Sequence, residues 1–132
     1  TRPGPRDYVG RAPLNQRESI ALADFTQEIV PALVLAYHTQ GKVIYWQFQD
    51  YEVPGARELG EEFARLSGYE LADTPYESSF AGYKDWFIQK FRRPGYTIEA
   101  GSGQNPLTIE QFPEIYRDNL GILVTAALGL PH

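Results

Sequence analysis

Residues 32–37, Ala-Leu-Val-Leu-Ala-Tyr, make an apolar run with no polar residue in alternation. A strand with one wet face alternates, so this run predicts a strand covered on both faces, as in a sheet between layers of helices. We expect it to be the central strand of an α/β arrangement. His38 follows the run directly and therefore stands at the carboxyl end of that strand, where open α/β sheets bind ligands.

The rest of the chain alternates helical and extended patterns. Asn15 and Glu18 have capping-box spacing and predict a helix over residues 16–28, with Ile20, Leu22, Ala23, Phe25 and Ile29 at helical spacing and Pro31 ending it. One face of that helix is expected to pack on a sheet. A second strand is expected over 43–48, entered through Gly41 and Lys42. The periodicity of 56–66 predicts a helix closed by Gly68 in the left-handed cap, and 69–81 reads as a polar loop. Residues 82–93 read as a helix with Trp86, Phe87 and Phe91 inward and Arg92 and Arg93 at its cationic end. A short strand over 96–99 leads into a glycine-rich turn at 101–105. The last helix takes Pro113 in its first turn and runs to about Leu128.

Composition narrows the classes of function. A net charge of −5 with scattered arginines and lysines argues against a phosphate-tracking surface, so no nucleic-acid partner is expected. No apolar stretch approaches the roughly 18 residues of a membrane span. The absence of cysteine removes disulfides, thiolate zinc sites and a cysteine nucleophile, leaving histidine and carboxylates as metal ligands. The first eleven residues have no apolar run and read as neither a signal peptide nor an anchor.

Two residues stand out chemically. His38, at a strand end, suits a metal ligand or a base, and equally a packed histidine held by a neighbouring carbonyl. Glu99 ends the strand 96–99 and precedes Ala100-Gly101-Ser102-Gly103. Small residues there leave room for substrate or water, and desolvation would raise the carboxyl pKa towards the range of a general base. A surface glutamate at a strand end is the plainer alternative. Together, at the ends of two strands of one sheet, they argue for a functional site more strongly than either does alone.

The segments LVLAYHTQGKVIYW around His38 and SSFAGYKDWFIQKFRRPGYTIEAGSGQNPL around Glu99 resemble the zinc carboxypeptidase superfamily. Within it they are most similar to bacterial gamma-D-glutamyl-L-diamino acid endopeptidases, which trim peptidoglycan stem peptides. The resemblance covers nearly the whole chain, including the entry loop GPRDYVGRAPL. It implies the C-terminal portion, over residues 1–132, of an α/β/α sandwich with a mixed, largely parallel sheet. It also implies that His38 is the third zinc ligand and Glu99 the catalytic glutamate. The family's first two ligands come from a His-x-x-Glu motif, and its substrate-orienting Asn-Arg pair also lies upstream; neither is present. The other histidine, His132, fits no ligand motif. Zn2+ would therefore need two further ligands from outside this chain, and the segment alone is expected to bind zinc weakly and be inactive.

The resemblance implies a catalytic-loop tyrosine before the Asp85-Trp86 pair. Tyr76 is the better match, although the spacing is one residue longer than in the digestive enzymes of the family, and Tyr83 stays open. By the same resemblance Lys84, two residues before Trp86, would stand where carboxypeptidases place the side chain at the bottom of the pocket that sets specificity. A cation there would pair with the extra carboxylate of diaminopimelate, while a solvated helix lysine is the alternative. The implied activity is hydrolysis of the gamma-D-glutamyl-diamino acid bond. A general carboxypeptidase, or a metal-free binding module that kept the fold, are the other readings. Expected partners are a peptidoglycan-derived peptide and the missing N-terminal part of the same domain. Such a protein would work at the cell envelope or outside the cell, or inside it in recycling or sporulation.

Overall fold

The computed structural model describes residues 11–80 and 82–129. Two compact units divide the chain, residues 1–31 and residues 32–132. In the first, α1 spans Arg17–Ile29. Asn15 does not cap it: Gln16 is the N-cap residue and no side chain accepts from the first turn. Instead Asn15 Oδ1 accepts a hydrogen bond from Gln16 Nε2, and Leu14 turns into left-handed backbone at φ 53°, which breaks the capping-box geometry. The helix ends where Val30 enters the left-handed region just before Pro31.

The second unit runs β1 (Val34–His38), β2 (Val43–Tyr45), α2 (Ala56–Ser67), β3 (Glu70–Ala72), α3 (Tyr83–Phe91), β4 (Gly95–Glu99) and α4 (Phe112–Leu128). The strands form one sheet in the order β1-β4-β2-β3. The β1-β4 and β2-β3 pairs are parallel and β2-β4 is antiparallel, so the sheet is mixed and largely parallel as expected. Among the described residues β1 lies at the edge of this sheet and β4 and β2 hold the centre, which corrects the central place expected from the apolar run. Nor is the run covered throughout: burial falls from Val34 to an exposed Tyr37 and His38.

Side chains alternate across a strand, so β4 serves both layers. Tyr96 and Ile98 point into the main core with Ile44 of β2, Leu59 and Phe63 of α2 and Ile122 of α4. Phe63 meets the Tyr96 ring edge-on at 5.0 Å, and the Tyr96 hydroxyl donates to the carbonyl of Ala56 at 2.7 Å. On the other face, Ile88 and the stem of Lys84 from α3 crowd Gly95 and Val34; a Cβ on Gly95 would lie 3.2–3.3 Å from all three side chains. The result is helix, sheet, helix. Lys42 opens β2 and ties it to α4 through Glu114 at 2.6 Å and Asp118 at 3.4 Å. Gly68 ends α2 in the left-handed cap anticipated for it, and Pro113 lies in the first turn of α4. Residues 69–81 were expected to be loop throughout, yet Glu70–Ala72 is β3, while β2 stops at Tyr45 rather than Phe48.

Candidate active site

β1 and β4 run parallel and in register, and the last pair of that register is His38 opposite Glu99. Paired residues on neighbouring strands share a face, so imidazole and carboxylate leave the same side of the sheet at the same carboxyl edge. Val43, at the start of β2, is the next residue in that row. His38 is exposed and Glu99 half-buried, so both groups are open to a ligand.

The chain beyond the two strands is laced together. The amide of Ala100 donates to the carbonyl of His38 at 2.9 Å, and that of Gly41 to the carbonyl of Gly101 at 2.9 Å. Thr39 Oγ1 donates to Asn105 Oδ1 at 2.8 Å, and Asn105 Nδ2 donates back to the carbonyl of Thr39 at 2.9 Å. The Thr39-Gln40 peptide bond is cis. From the side of α4, the Gln111 amide brackets Ser102, accepting from its N–H and donating to its carbonyl. Gly101 sits at φ 74°, and a Cβ there would come within 2.5 Å of Leu107 and 2.9 Å of Ile115. Asn105 and Thr39 were not singled out from sequence. Their partnership joins residues 66 positions apart, and a local pattern cannot show it.

Lys84 lies on the α3 face of the sheet, its stem against Gly95, the residue that opens β4. Gly95 is four strand residues before Glu99, roughly 13 Å away along the strand. The ammonium is 2% exposed and fully engaged: Asp85 Oδ1 at 2.5 Å, the Gln47 carbonyl at 2.6 Å and Thr74 Oγ1 at 2.7 Å. Two of its donors go to the Gln47 carbonyl and Thr74 Oγ1, and the Asp85 contact is an ion pair. Lys84 is therefore neither a solvated helix lysine nor an open counter-ion. Its charge is neutralised within the fold, where burial lowers its pKa and Asp85 opposes that shift.

The two tyrosines differ. Tyr76 lies in a one-turn 3₁₀ helix, Tyr76–Ser78, with its ring 66% exposed and meeting Phe80 edge-on. Tyr83 opens α3 and stacks on Trp86 at 6.0 Å. Of the two phenols, that of Tyr76 has the freer approach to solvent.

Among the described residues no group of three His, Asp or Glu side chains is gathered closely enough to hold a metal ion. Catalytic zinc takes three protein ligands and water, so the donors described do not by themselves fit it, and His38 stands as a single potential ligand. His132 lies outside the described residues. A separate cavity of about 610 Å³, lined by Trp46, Asp50, Tyr51 and Glu58 among others, follows the end of β2. Among the described residues no helix is long and apolar enough to cross a membrane.

The mixed sheet between helices has a carboxypeptidase-like α/β fold: carboxypeptidase A from Helicoverpa armigera superposes with a TM-score of 0.57 at 18% identity, over 89% of this chain and 36% of that one. Two other solved structures agree. Bovine thrombin-activatable fibrinolysis inhibitor superposes with a TM-score of 0.76 at 16% identity, over 92% of this chain and 47% of that one. The murein-tripeptide amidase MpaA from Escherichia coli O157 superposes with a TM-score of 0.59 at 23% identity, over 87% and 43%. Among curated proteins, the chain is 57% identical to gamma-D-glutamyl-L-diamino acid endopeptidase 1 of Lysinibacillus sphaericus over 122 residues. It is 42% identical over 123 residues to the uncharacterized protein YqgT of Bacillus subtilis. These matches take in 92% and 93% of this chain but only 30% and 33% of the relatives' own lengths. No family model matches. The chain thus has a carboxypeptidase-like fold and is similar to these two curated relatives, spanning about a third of the length of each.

Proposed function

We propose that this chain is the C-terminal part of a peptidase catalytic domain that hydrolyses the gamma-D-glutamyl-diamino acid bond of peptidoglycan stem peptides. The observation that carries the reading is the register pair of His38 and Glu99 at one carboxyl edge, in a chain 57% identical to a named endopeptidase of that specificity. His38 serves as one ligand of Zn2+, with two more supplied from outside this chain. A metal held there would supply Lewis acidity towards the carbonyl and the attacking water.

This chain's own chemistry centres on Glu99. Its carboxylate takes a proton from the attacking water and delivers it to the departing amine. Tyr76, with its exposed phenol, is the hydrogen-bond donor to substrate, and Tyr83, stacked on Trp86, is a wall. The partner implied is a peptidoglycan-derived peptide, at the cell envelope or in the medium.

The test uses the complete protein loaded with zinc. Incubated with a stem tripeptide containing a gamma-D-glutamyl-diaminopimelate bond, it is expected to release the diamino acid. A plain peptide with a free C-terminus should remain intact. Cleavage of the plain peptide alone would make it a general carboxypeptidase, and cleavage of neither, a binding module. The 132-residue segment by itself is expected to hold no stoichiometric zinc and to cleave nothing.

A further inference from the structure

We propose that the outer flank of α4 is the seat of a further segment, apolar on one side, supplied by the part of the carboxypeptidase-like fold that lies outside this chain. The inference goes beyond the peptidase reading and rests on the fold alone. α4 is apolar on more sides than its neighbours cover. Its inner side is taken up by the core, where Ile122 is wholly buried. One flank meets α2: a Cβ on Gly121 would lie 3.2 Å from the Leu66 side chain. Phe112, Tyr116, Leu120, Leu123 and Ala127 follow one another at steps of four and three, so they line a third side of the helix. At 3.6 residues per turn that side is turned away from Gly121 and hence from α2.

This third side stays open along its length, with Phe112 exposed by 58% and Leu120 and Leu123 by 44% each. From Phe112 to Leu123 the stripe runs about 16 Å. Polar side chains keep to a narrow arc, Glu114, Arg117 and Asp118, and Lys42 engages two of those three. A surface helix carries one apolar stripe, whereas a helix that is apolar over most of its circumference belongs inside a larger protein.

The sheet is short of cover in the same layer. Leu35 and Tyr37 of β1 pair with Tyr96 and Ile98 of β4 and so share the face that builds the main core. α2 lies over β3 and β4, since Gly60 sits against Leu71 and Tyr96, but Tyr37 on β1 is left 41% exposed. One more segment beside α4 completes the layer that α2 and α4 begin. The size of the fold says where it comes from: this chain covers less than half of each solved structure that shares its architecture, so the fold holds at least as much chain again.

The experiment is thiol labelling of the complete protein, with the unsubstituted protein as the blank. This chain has no cysteine, so Leu120→Cys and Leu123→Cys each place a single reporter on the stripe. Both are expected to react with a maleimide at least about 100-fold more slowly in the folded protein than in urea, as side chains released only by unfolding do. Ala127→Cys, the smallest change on the same side, serves if the leucine variants misfold. Sedimentation at the labelling concentration gives the oligomeric state, and slow labelling in a monomer is the expected result. Labelling as fast in the folded protein as in urea would overturn the seat. Protection found in a dimer and lost on dilution to the monomer would overturn it in favour of a second copy. Peptide cleavage does not enter the readout: shielded cysteines in a protein that cleaves no stem peptide would refute the peptidase reading and sustain the seat.

Discussion

Lys84 and Asp85, neighbours in sequence on the first turn of α3, form an ion pair sealed in the protein, 2.5 Å apart and with both side chains almost wholly buried. The same ammonium holds the Gln47 carbonyl and Thr74 Oγ1, so it fastens three segments that are remote in sequence. Removing one member of a buried pair strands the other charge, at a cost of about 3–5 kcal/mol. Lys84→Met should lower unfolding stability by that much in urea titration, and Lys84→Met with Asp85→Asn should recover part of it. A change confined to KM for diaminopimelate-containing substrate, with stability intact, would instead restore Lys84 to the specificity pocket.

β4 is held at Glu99 by its backbone ladder with β1 and β2. Glu99→Gln in the complete enzyme should lower kcat by roughly 10²- to 10⁴-fold, the usual worth of a positioned base. Its zinc content, read by metal analysis, should match the parent. Near-normal turnover would strip Glu99 of its assigned role.

Gly101 combines a left-handed φ of 74° with side chains 2.5 and 2.9 Å from where a Cβ would stand. Backbone strain at such a site costs on the order of 1–2 kcal/mol before any collision is counted. Gly101→Ala should therefore cost at least about 2 kcal/mol in chemical denaturation. It should also reduce activity, because the displaced turn begins at Glu99. A variant as stable as the parent would mean the turn yields freely.

Alkaline pH should act on Tyr96. Its phenol is fully buried and donates to the Ala56 carbonyl, and burial raises its pKa well above the ordinary 10.0, with Glu58 adding to the shift. Below pH 10 folded and unfolded chains both keep the proton. Above it the unfolded chain ionises and the folded one does not, so stability falls with rising pH, by up to about 1.4 kcal/mol per pH unit. Tyr96→Phe should flatten that decline when denaturation is followed between pH 9 and 11. An identical slope in both proteins would exclude Tyr96 as its source.

Elements with strong local signals were legible in the sequence. α2 with its Gly68 cap, α4 with Pro113 and the short β4 ending at Glu99 all lie within a residue or so of their expected bounds. β3 escaped notice because three residues, Glu70-Leu71-Ala72, make no periodic pattern, and only pairing with β2 reveals them as a strand. The place of β1 at the edge was equally hidden, since strand order is set by crossovers. At the site, His38 and Glu99 could be picked out from their positions after apolar segments. Their register could not, and nor could the partners of Lys84, because contacts such as Gln47 and Thr74 arise only when distant segments meet.

The reversal of β2 against β4 has a consequence for what the molecule can accommodate. Because β2 begins beside Glu99 and finishes two rungs down the ladder, beside Thr97, the recess beyond Trp46 opens at the opposite rim of the sheet. A compound lodged there would neither shield nor crowd the reacting groups, and occupancy of that recess should leave turnover unchanged.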